Sequence, residues 1–262
     1  MTVIRSIVIA FSMFTKIPMP QINWEKANMR YALAAFPLIG IVNGLVLLAW
    51  YWIAERFGFS ATLYAAGLTL LPVLLTGGIH LDGYCDTIDA LSSHAAPERK
   101  REILKDPNAG AFAVIYLGVY LLAYFALCWE LASDMSLYFP LFLGVVSVMS
   151  RASSGIASLA FPTSKGGGLL DTFRDAGNRV SFFVCLCWLL LGAAVIIWVT
   201  AFGAYALSIA ASIVSVLLCM LYVRVMSKRQ FGGMSGDLAG FLLQLTELVA
   251  LAAFVILGKW VF

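Results

Sequence analysis

Residues 76–91 read TGGIHLDGYCDTIDAL and join a long apolar run to three closely spaced aspartates. Asp82, Asp86 and Asp89 follow one another at positions i, i+4 and i+7. On an α-helix these positions lie within about 60° of one another, so the three carboxylates share one face. Like charges repel, and each charge near hydrocarbon also carries a desolvation cost. A cation is therefore expected among them.

A divalent metal ion is the simplest cation for such a cluster. Oxygen ligands favour a hard ion, Mg²⁺ before Mn²⁺ or Ca²⁺. The alternative is an acidic helix end that is merely solvated at the membrane surface. We therefore take Asp82, Asp86 and Asp89 as candidate metal ligands and catalytic residues. His80 is a further catalytic candidate, although on a regular helix it would point away from the aspartates, and a lone histidine more often hydrogen-bonds.

The composition of the chain is that of a membrane protein. Of its 262 residues, 62% are apolar and 12% are charged, whereas a soluble domain is nearer half apolar and a quarter charged. We predict an all-α, polytopic helical bundle that forms a single integral membrane domain over residues 1–262. Its seven predicted spans, each about 20 residues long, are 30–54, 60–80, 110–130, 137–160, 180–202, 205–224 and 239–261. The apolar stretch 3–14 is too short to cross and is predicted to be interfacial or re-entrant.

The basic residues lie on one side of this topology. The N-terminal stretch and the loops 91–108, 161–179 and 225–238, with their edges, hold all but two of the 17 Lys and Arg. That count includes Arg151, which would lie near the inner end of the fourth span if the helix breaks at 153–155. The positive-inside rule then places the N-terminus in the cytoplasm, the C-terminus outside and an active face on the cytoplasmic side of the inner cell membrane.

Residues 105–110, KDPNAG, directly precede the third predicted span. Asp106 followed by Pro107 is a common helix start, with the aspartate as N-cap and the proline at the first helical position. We expect that cap. Lys105 and Asp106 are also candidates for substrate binding.

Residues 232–240, GGMSGDLAG, open the last predicted span. Closely spaced glycines let backbone N–H groups approach an anion, and a helix N-terminus adds a favourable dipole. The candidate substrate-binding residues here are Gly232, Gly233, Ser235 and Gly236. Asp237 is either a further metal ligand or the N-cap. Ten residues deeper, Glu247 is either a functional group or a hydrogen-bonding partner of a neighbouring helix.

Taken together, these motifs resemble the cobalamin synthase family, the adenosylcobinamide-GDP ribazoletransferases. The resemblance covers nearly the whole chain. It rests on FTKIPMP (14–20), FPLIGIVNG (36–44), GGIHLDGYCDTIDAL (77–91), KDPNAGAFAV (105–114), MSR (149–151), GGMSGDLAG (232–240) and QLTEL (244–248). Ser235 stands where the family usually has threonine, which preserves the hydroxyl.

The resemblance implies a transferase that uses Mg²⁺ to join adenosylcobinamide-GDP to α-ribazole, or to α-ribazole 5′-phosphate, with release of GMP. The aspartates of residues 82–89 would hold the metal, completed by Asp106 or Asp237. Lys105, Arg151 and the glycine turn 232–236 would bind the pyrophosphate or GMP. The expected partners are these substrates and the lipid bilayer, and no nucleic acid. A homo-oligomer, or association with other cobalamin-assembly enzymes, stays open.

Two other readings of the same residues are weaker. CDP-alcohol phosphotransferases also attack a nucleotide pyrophosphate with an alcohol at an aspartate-bound metal, but the AR that follows their first DG is absent here. A cation or corrinoid transporter would place ionisable groups near the middle of the membrane, along a path. Only Glu247 lies that deep in the predicted spans.

Overall fold

The computed structural model describes residues 2–132, 136–163, 169–177, 179–200 and 206–258. Within these ranges the regular secondary structure is helical, apart from one isolated bridge between Thr163 and Met234, and loops join the helices. The helices are α1 (Thr2–Phe14), α2 (Lys26–Met29), α3 (Ala32–Phe57), α4 (Ala61–Thr76), α5 (Ile79–Ser92), α6 (Pro97–Ile103), α7 (Ala111–Ala132), α8 (Tyr138–Ala160), α9 (Leu169–Ala176), α10 (Arg179–Thr200), α11 (Ala206–Met226) and α12 (Gly236–Gly258). A π-helical turn, Ser227–Phe231, joins α11 to the loop before α12.

Six of the described helices are long and apolar enough to cross a membrane, namely α3, α7, α8, α10, α11 and α12. This confirms the predicted all-α, polytopic bundle. A seventh span results if α4 and α5 count together as one broken span. The side of the membrane on which each end lies stays a prediction. Residues 201–202, 205 and 259–261 of the predicted spans lie outside the described residues.

The second predicted span, 60–80, is wrong at its C-terminal end. Helix α4 ends at Thr76, and the chain then bends by 93° into α5. Gly77 and Gly78 make the bend with φ of 64° and 79°, a left-handed conformation that glycine adopts without a Cβ clash. The bend turns the aspartate helix away from the axis of α4.

Helix α8 is the most buried of the candidate spans and packs on α3, α10 and α12. It runs unbroken to Ala160, so the break at 153–155 that would place Arg151 near the inner end of the span does not occur. Small residues let α3 approach it closely: a Cβ built on Gly44 would lie 3.0 Å from Cα of Gly144. Such contacts are typical of helices packed within membranes, where van der Waals contact drives association.

Helix α1 is a short apolar helix that packs on α3 and α2. It buries Ile9 and Ala10, and the Ser6 hydroxyl donates a hydrogen bond of 2.6 Å to the carbonyl oxygen of Asn28. Its C-terminal residue, Phe14, thereby reaches α5 and contacts the ring of His80. The interfacial or re-entrant placement of α1 stays a prediction.

Candidate active site

Helix α5 carries the three aspartates as the spacing predicts. It runs from Ile79 to Ser92 without a break, so Asp82, Asp86 and Asp89 keep their helical spacing. Asp82 is exposed, and the other two are partly buried. The rest of α5 packs against α6, α7 and α12.

Two glycines bring α5 against the start of α12. A Cβ built on Gly83 would lie 2.8 Å from the carbonyl oxygen of Asp237 and 3.0 Å from its Cα. A Cβ on Gly240 would lie 3.1 Å from the carbonyl oxygen of His80. Because larger residues would force the helices apart, the glycines allow Asp237 to lie next to Asp82.

The start of α12 is fixed by Ser235 and not by Asp237. The Ser235 hydroxyl accepts a hydrogen bond of 3.3 Å from the backbone N–H of Leu238, which is the geometry of an N-cap. Asp237 follows in the first turn, so the alternative that it is the N-cap is wrong. Gly232 and Gly233 form the preceding turn, with φ of 73° and 147°.

A cavity of about 400 Å³ opens where α5, α6 and α12 meet. That volume lies within the range of ligand pockets for single small molecules. Six of the predicted site residues line it: His80, Asp82, Lys105, Ser235, Gly236 and Asp237. Arg101, from α6, adds a second cation to the wall.

Asp86 and Asp89 do not line this cavity, although they continue the same face of α5. Asp86 lies within electrostatic range of Asp82, Asp237 and Asp89, all of which repel its charge. Asp89 lies against the loop before α7: a Cβ built on Gly110 would come within 2.2 Å of both carboxylate oxygens. The carboxylates therefore form a row that leads from the cavity to the KDPNAG loop.

Asp106 lies in that loop and does not cap α7. Its carboxylate accepts hydrogen bonds of 2.9 Å from the backbone N–H and from the side-chain amide of Asn108. These bonds, that of the backbone N–H first, lower the pKa of Asp106 below its ordinary value. Helix α7 begins only at Ala111, so the predicted N-cap is wrong: the aspartate closes a local turn in place of starting a helix.

His80 is buried between the rings of Phe14 and Phe36, with ring centroids 5.7 Å and 5.4 Å away. Its Nε2 atom is buried and has no hydrogen-bond partner within the described part of the chain. The side chain forms part of the cavity wall. Its predicted catalytic role stays a prediction.

Arg151 does not line this cavity and is buried inside the bundle. Its guanidinium donates to the carboxylate of Glu247 at 2.8 Å, and their side chains are 1% and 8% exposed. The hydroxyls of Ser147 and Ser150 join this network. Of the two roles open to Glu247, the structure shows the bond to a neighbouring helix. Pyrophosphate binding by Arg151 stays a prediction that this geometry does not favour.

The row of carboxylates has no described counter-ion. Among the described residues, no Lys or Arg forms an ion pair with Asp82, Asp86, Asp89 or Asp237. Within the same residues, no three His, Cys, Asp or Glu side chains converge closely enough to hold a metal ion by themselves. Mg²⁺ is commonly bound by one or two carboxylates together with substrate phosphates and water. These residues fit that kind of site.

Comparison with known proteins identifies the family. A family model described as cobalamin-5-phosphate synthase matches residues 6–255. The chain belongs to the cobalamin-5-phosphate synthase family. Its members are transferases of cobalamin biosynthesis, and the resemblance noted from the motifs is confirmed.

Several relatives of this protein within the cobalamin synthase family are named adenosylcobinamide-GDP ribazoletransferase. The protein of Lachnoclostridium phytofermentans is 41% identical, over 97% of this chain and 94% of its own. The protein of Desulfitobacterium hafniense is 32% identical, over 94% of this chain and 95% of its own. The protein of Fusobacterium nucleatum is 26% identical, over 97% of this chain and 98% of its own. No solved structure matches the chain.

The sequence alone did not indicate three residues that line the cavity, namely Arg101, Phe14 and Phe36. Arg101 lies four residues before Lys105, a spacing that would have indicated a shared face. Phe14 and Phe36 lie within motifs that carried the resemblance, but nothing in those motifs assigned them a chemical role. Their place in the wall depends on how α1 and α3 pack against α5.

Proposed function

We propose that this protein joins adenosylcobinamide-GDP to α-ribazole, or to α-ribazole 5′-phosphate, and releases GMP. One observation carries the proposal. A single cavity is lined both by carboxylates without described counter-ions, Asp82 and Asp237, and by the cations Arg101 and Lys105. The names of the relatives supply the two substrates.

In the proposed reaction, the ribose 3′-hydroxyl of the acceptor forms a bond to the phosphorus that carries cobinamide. The bond from this phosphorus to the bridging oxygen of the pyrophosphate breaks, and GMP leaves with that oxygen. The hydroxyl proton passes to a carboxylate that faces the cavity. Asp82 and Asp237 are the candidates, because Asp86 and Asp89 lie outside the cavity wall. Of these two, the carboxylate that is not saturated by the metal would act as general base.

The two cations of the cavity wall, Arg101 on α6 and Lys105 in the loop after it, have the complementary task. Arg101 and Lys105 would bind the pyrophosphate and the departing GMP, since charge-assisted hydrogen bonds to phosphate are strong and orient the group. Arg101 also donates to the carbonyl oxygen of Phe231 at 3.1 Å, next to Gly232. This hydrogen bond fixes α6 next to the glycine turn that the sequence predicts to bind substrate.

Mg²⁺ is the proposed cofactor. The residues that would hold it are Asp82 and Asp237 at the cavity, with Asp86 and Asp89 continuing the row. Bound there, the ion would neutralise charge that develops on the leaving phosphate. The cytoplasmic side of the inner membrane is the proposed location of the site, because the basic loops gather there under the positive-inside rule.

The test is GMP release by the full chain reconstituted in liposomes, with both substrates and with or without Mg²⁺. We expect metal-dependent formation of GMP and cobalamin. Asp82→Asn and Asp86→Asn should each lower turnover by about 100-fold or more, as expected when a metal ligand or base is lost. Asp175→Asn is a matched control, because Asp175 is exposed on α9 and pairs with Lys26. Folded wild-type protein that releases no GMP would refute the proposal.

A further inference from the structure

The C-terminal end of α11 combines an apolar outer face with exposed cations. Leu221 and Val225 are 59% and 41% exposed. Arg224 lies on the same face, because positions 221, 224 and 225 follow one another at i, i+3 and i+4 on this helix. Lys228 and Arg229 come next in the π-helical turn and are exposed as well. Since α11 is long and apolar enough to cross a membrane, this face would lie against lipid tails and its cations beside headgroups.

Arg224, Lys228 and Arg229 form the α11 basic patch, which has no described acidic partner. None of the ion pairs among the described residues includes any of the three. The guanidinium of Arg224 lies over the ring of Phe161, 5.6 Å from its centroid, and this contact orients the charge without neutralising it. The patch therefore fits an anionic group.

The turn that carries the patch leads directly into the active site. The backbone N–H groups of Gly232 and Gly233 both donate to the carbonyl oxygen of Ser227, so the glycine turn closes on the π-helical turn. The buried amine of Lys100 on α6 donates to the side-chain oxygen of Gln230. The segment that follows the glycine turn lines the cavity. A ligand bound to the patch would therefore restrain the glycine turn of the active site.

We propose that the α11 basic patch binds the phosphate of an anionic phospholipid, and that the bound headgroup restrains the glycine turn for catalysis. Such a lipid satisfies both parts of the surface, because its tails cover the apolar face while its phosphate meets the cations. A soluble phosphate would meet the cations alone. A zwitterionic headgroup brings its own ammonium group, which the patch repels. The effect on catalysis rests on the proposed function, whereas binding of the lipid does not.

The positive-inside rule offers another explanation, in which these cations only set the topology. In that case, any exposed cation on the same side of the membrane would respond equally to an anionic surface. Arg30 and Arg179 are exposed too, but they lie just before α3 and at the start of α10, and not on the π-helical turn. The two explanations differ in whether the effect of the lipid is confined to the patch.

The first test measures binding. The full chain in detergent is mixed with phosphatidylglycerol or phosphatidylcholine, and native mass spectrometry counts the lipids that it retains. We expect the wild type to prefer phosphatidylglycerol. Its affinity should fall about tenfold or more in Lys228→Gln/Arg229→Gln, because each basic residue near a headgroup contributes about fivefold. Arg30→Gln/Arg179→Gln removes the same charge elsewhere and should keep wild-type affinity. Equal retention of both lipids by the wild type, or equal losses in the two double variants, would overturn the inference.

The second test measures the effect on turnover. GMP release is compared in phosphatidylcholine liposomes with and without phosphatidylglycerol, at one Mg²⁺ concentration. We expect phosphatidylglycerol to raise kcat about threefold or more in the wild type and in Arg30→Gln/Arg179→Gln, but not in Lys228→Gln/Arg229→Gln. Because an anionic surface also concentrates Mg²⁺ around every variant, the difference between the two double variants isolates the patch.

Three outcomes of the turnover test are decisive. Stimulation that persists in Lys228→Gln/Arg229→Gln would overturn the inference. Stimulation by soluble glycerol phosphate added to phosphatidylcholine liposomes would overturn it too, since a free anion would then suffice. No GMP from any liposome would instead refute the proposed function, and native mass spectrometry would then still decide whether the patch binds the lipid.

Discussion

At the scale of single residues, the charges of this protein fall into two kinds. Arg151 and Glu247 neutralise each other inside the bundle, where an unpaired charge would be costly. Asp82 and Asp237 face a cavity and form no described ion pair. Carboxylates held near hydrocarbon without a partner are expected to meet a cation in a ligand. Among the acidic residues, we therefore expect the functional ones to be those without a described ion pair.

Arg101 tests the role of the basic wall, because it lines the cavity although it also pairs with Glu98 at 3.1 Å. We expect Arg101→Gln to raise the KM for adenosylcobinamide-GDP about tenfold or more, since a charge-assisted bond to phosphate is lost. Arg99→Gln on the same helix is the control, because Arg99 is exposed, pairs with Glu102 and does not line the cavity. Steady-state kinetics of both variants measure the difference. Equal effects of the two substitutions would mean that Arg101 acts only through the general charge of α6.

The sequence predicts the residues of the site better than their partners. The spacing of the aspartates predicts their common face, and the structure confirms that face on α5. Asp106 was wrongly expected to cap α7, because a local pattern cannot tell a helix start from a closed turn that precedes it. The pair between Arg151 and Glu247 joins residues 96 positions apart. Such a contact depends on how α8 and α12 pack, which no local spacing contains.

At the scale of elements, the contact between α5 and α12 positions the carboxylates. Gly83→Ala should force these helices apart, because its Cβ would meet the backbone of Asp237, which cannot yield as a flexible side chain can. We expect a loss of about 1–3 kcal/mol in unfolding free energy, together with reduced GMP release. Gly118→Ala is the control, since nothing lies within 4 Å of its Cβ position in α7. The unfolding midpoint and the rate of GMP release are measured for both variants. Loss in Gly83→Ala alone indicates strain at the contact between α5 and α12, whereas equal loss in both variants would contradict this explanation.

The buried pair between α8 and α12 makes a second prediction at this scale. Glu247→Gln leaves the Arg151 guanidinium buried beside a neutral group and should destabilise the protein by about 3–5 kcal/mol. The double variant Arg151→Met and Glu247→Leu should recover much of that loss, because no charge then stays buried. Glu102→Gln, which breaks an exposed pair, should change the unfolding midpoint little. A double variant no more stable than Glu247→Gln would show that the loss comes from packing and not from charge.

At the scale of the whole molecule, the bend after α4 leaves two topologies. Helix α4 has 16 residues, about 24 Å at 1.5 Å per residue, against a hydrocarbon core of about 30 Å. It either crosses a locally thinned bilayer with α5 lying along the surface, or turns back with α5 as a re-entrant pair. If it turned back, the basic loop 91–108 would share a side with residues 58–60, against the positive-inside rule. The charge distribution therefore favours a crossing α4 and seven spans.

Cysteine accessibility tests this topology directly. In a background whose five natural cysteines are replaced, Glu55→Cys and Ala96→Cys place single thiols at exposed positions on either side of the α4–α5 pair. If α4 crosses, a membrane-impermeant maleimide added to intact cells should label Glu55→Cys only. Inside-out vesicles should reverse the pattern and label Ala96→Cys. Labelling of both sites from the same side would show a re-entrant pair, and the helices that follow would then have the opposite orientation. The aspartate row would in that case face away from cytoplasmic nucleotides, so this measurement tests the proposed location of the active site as well.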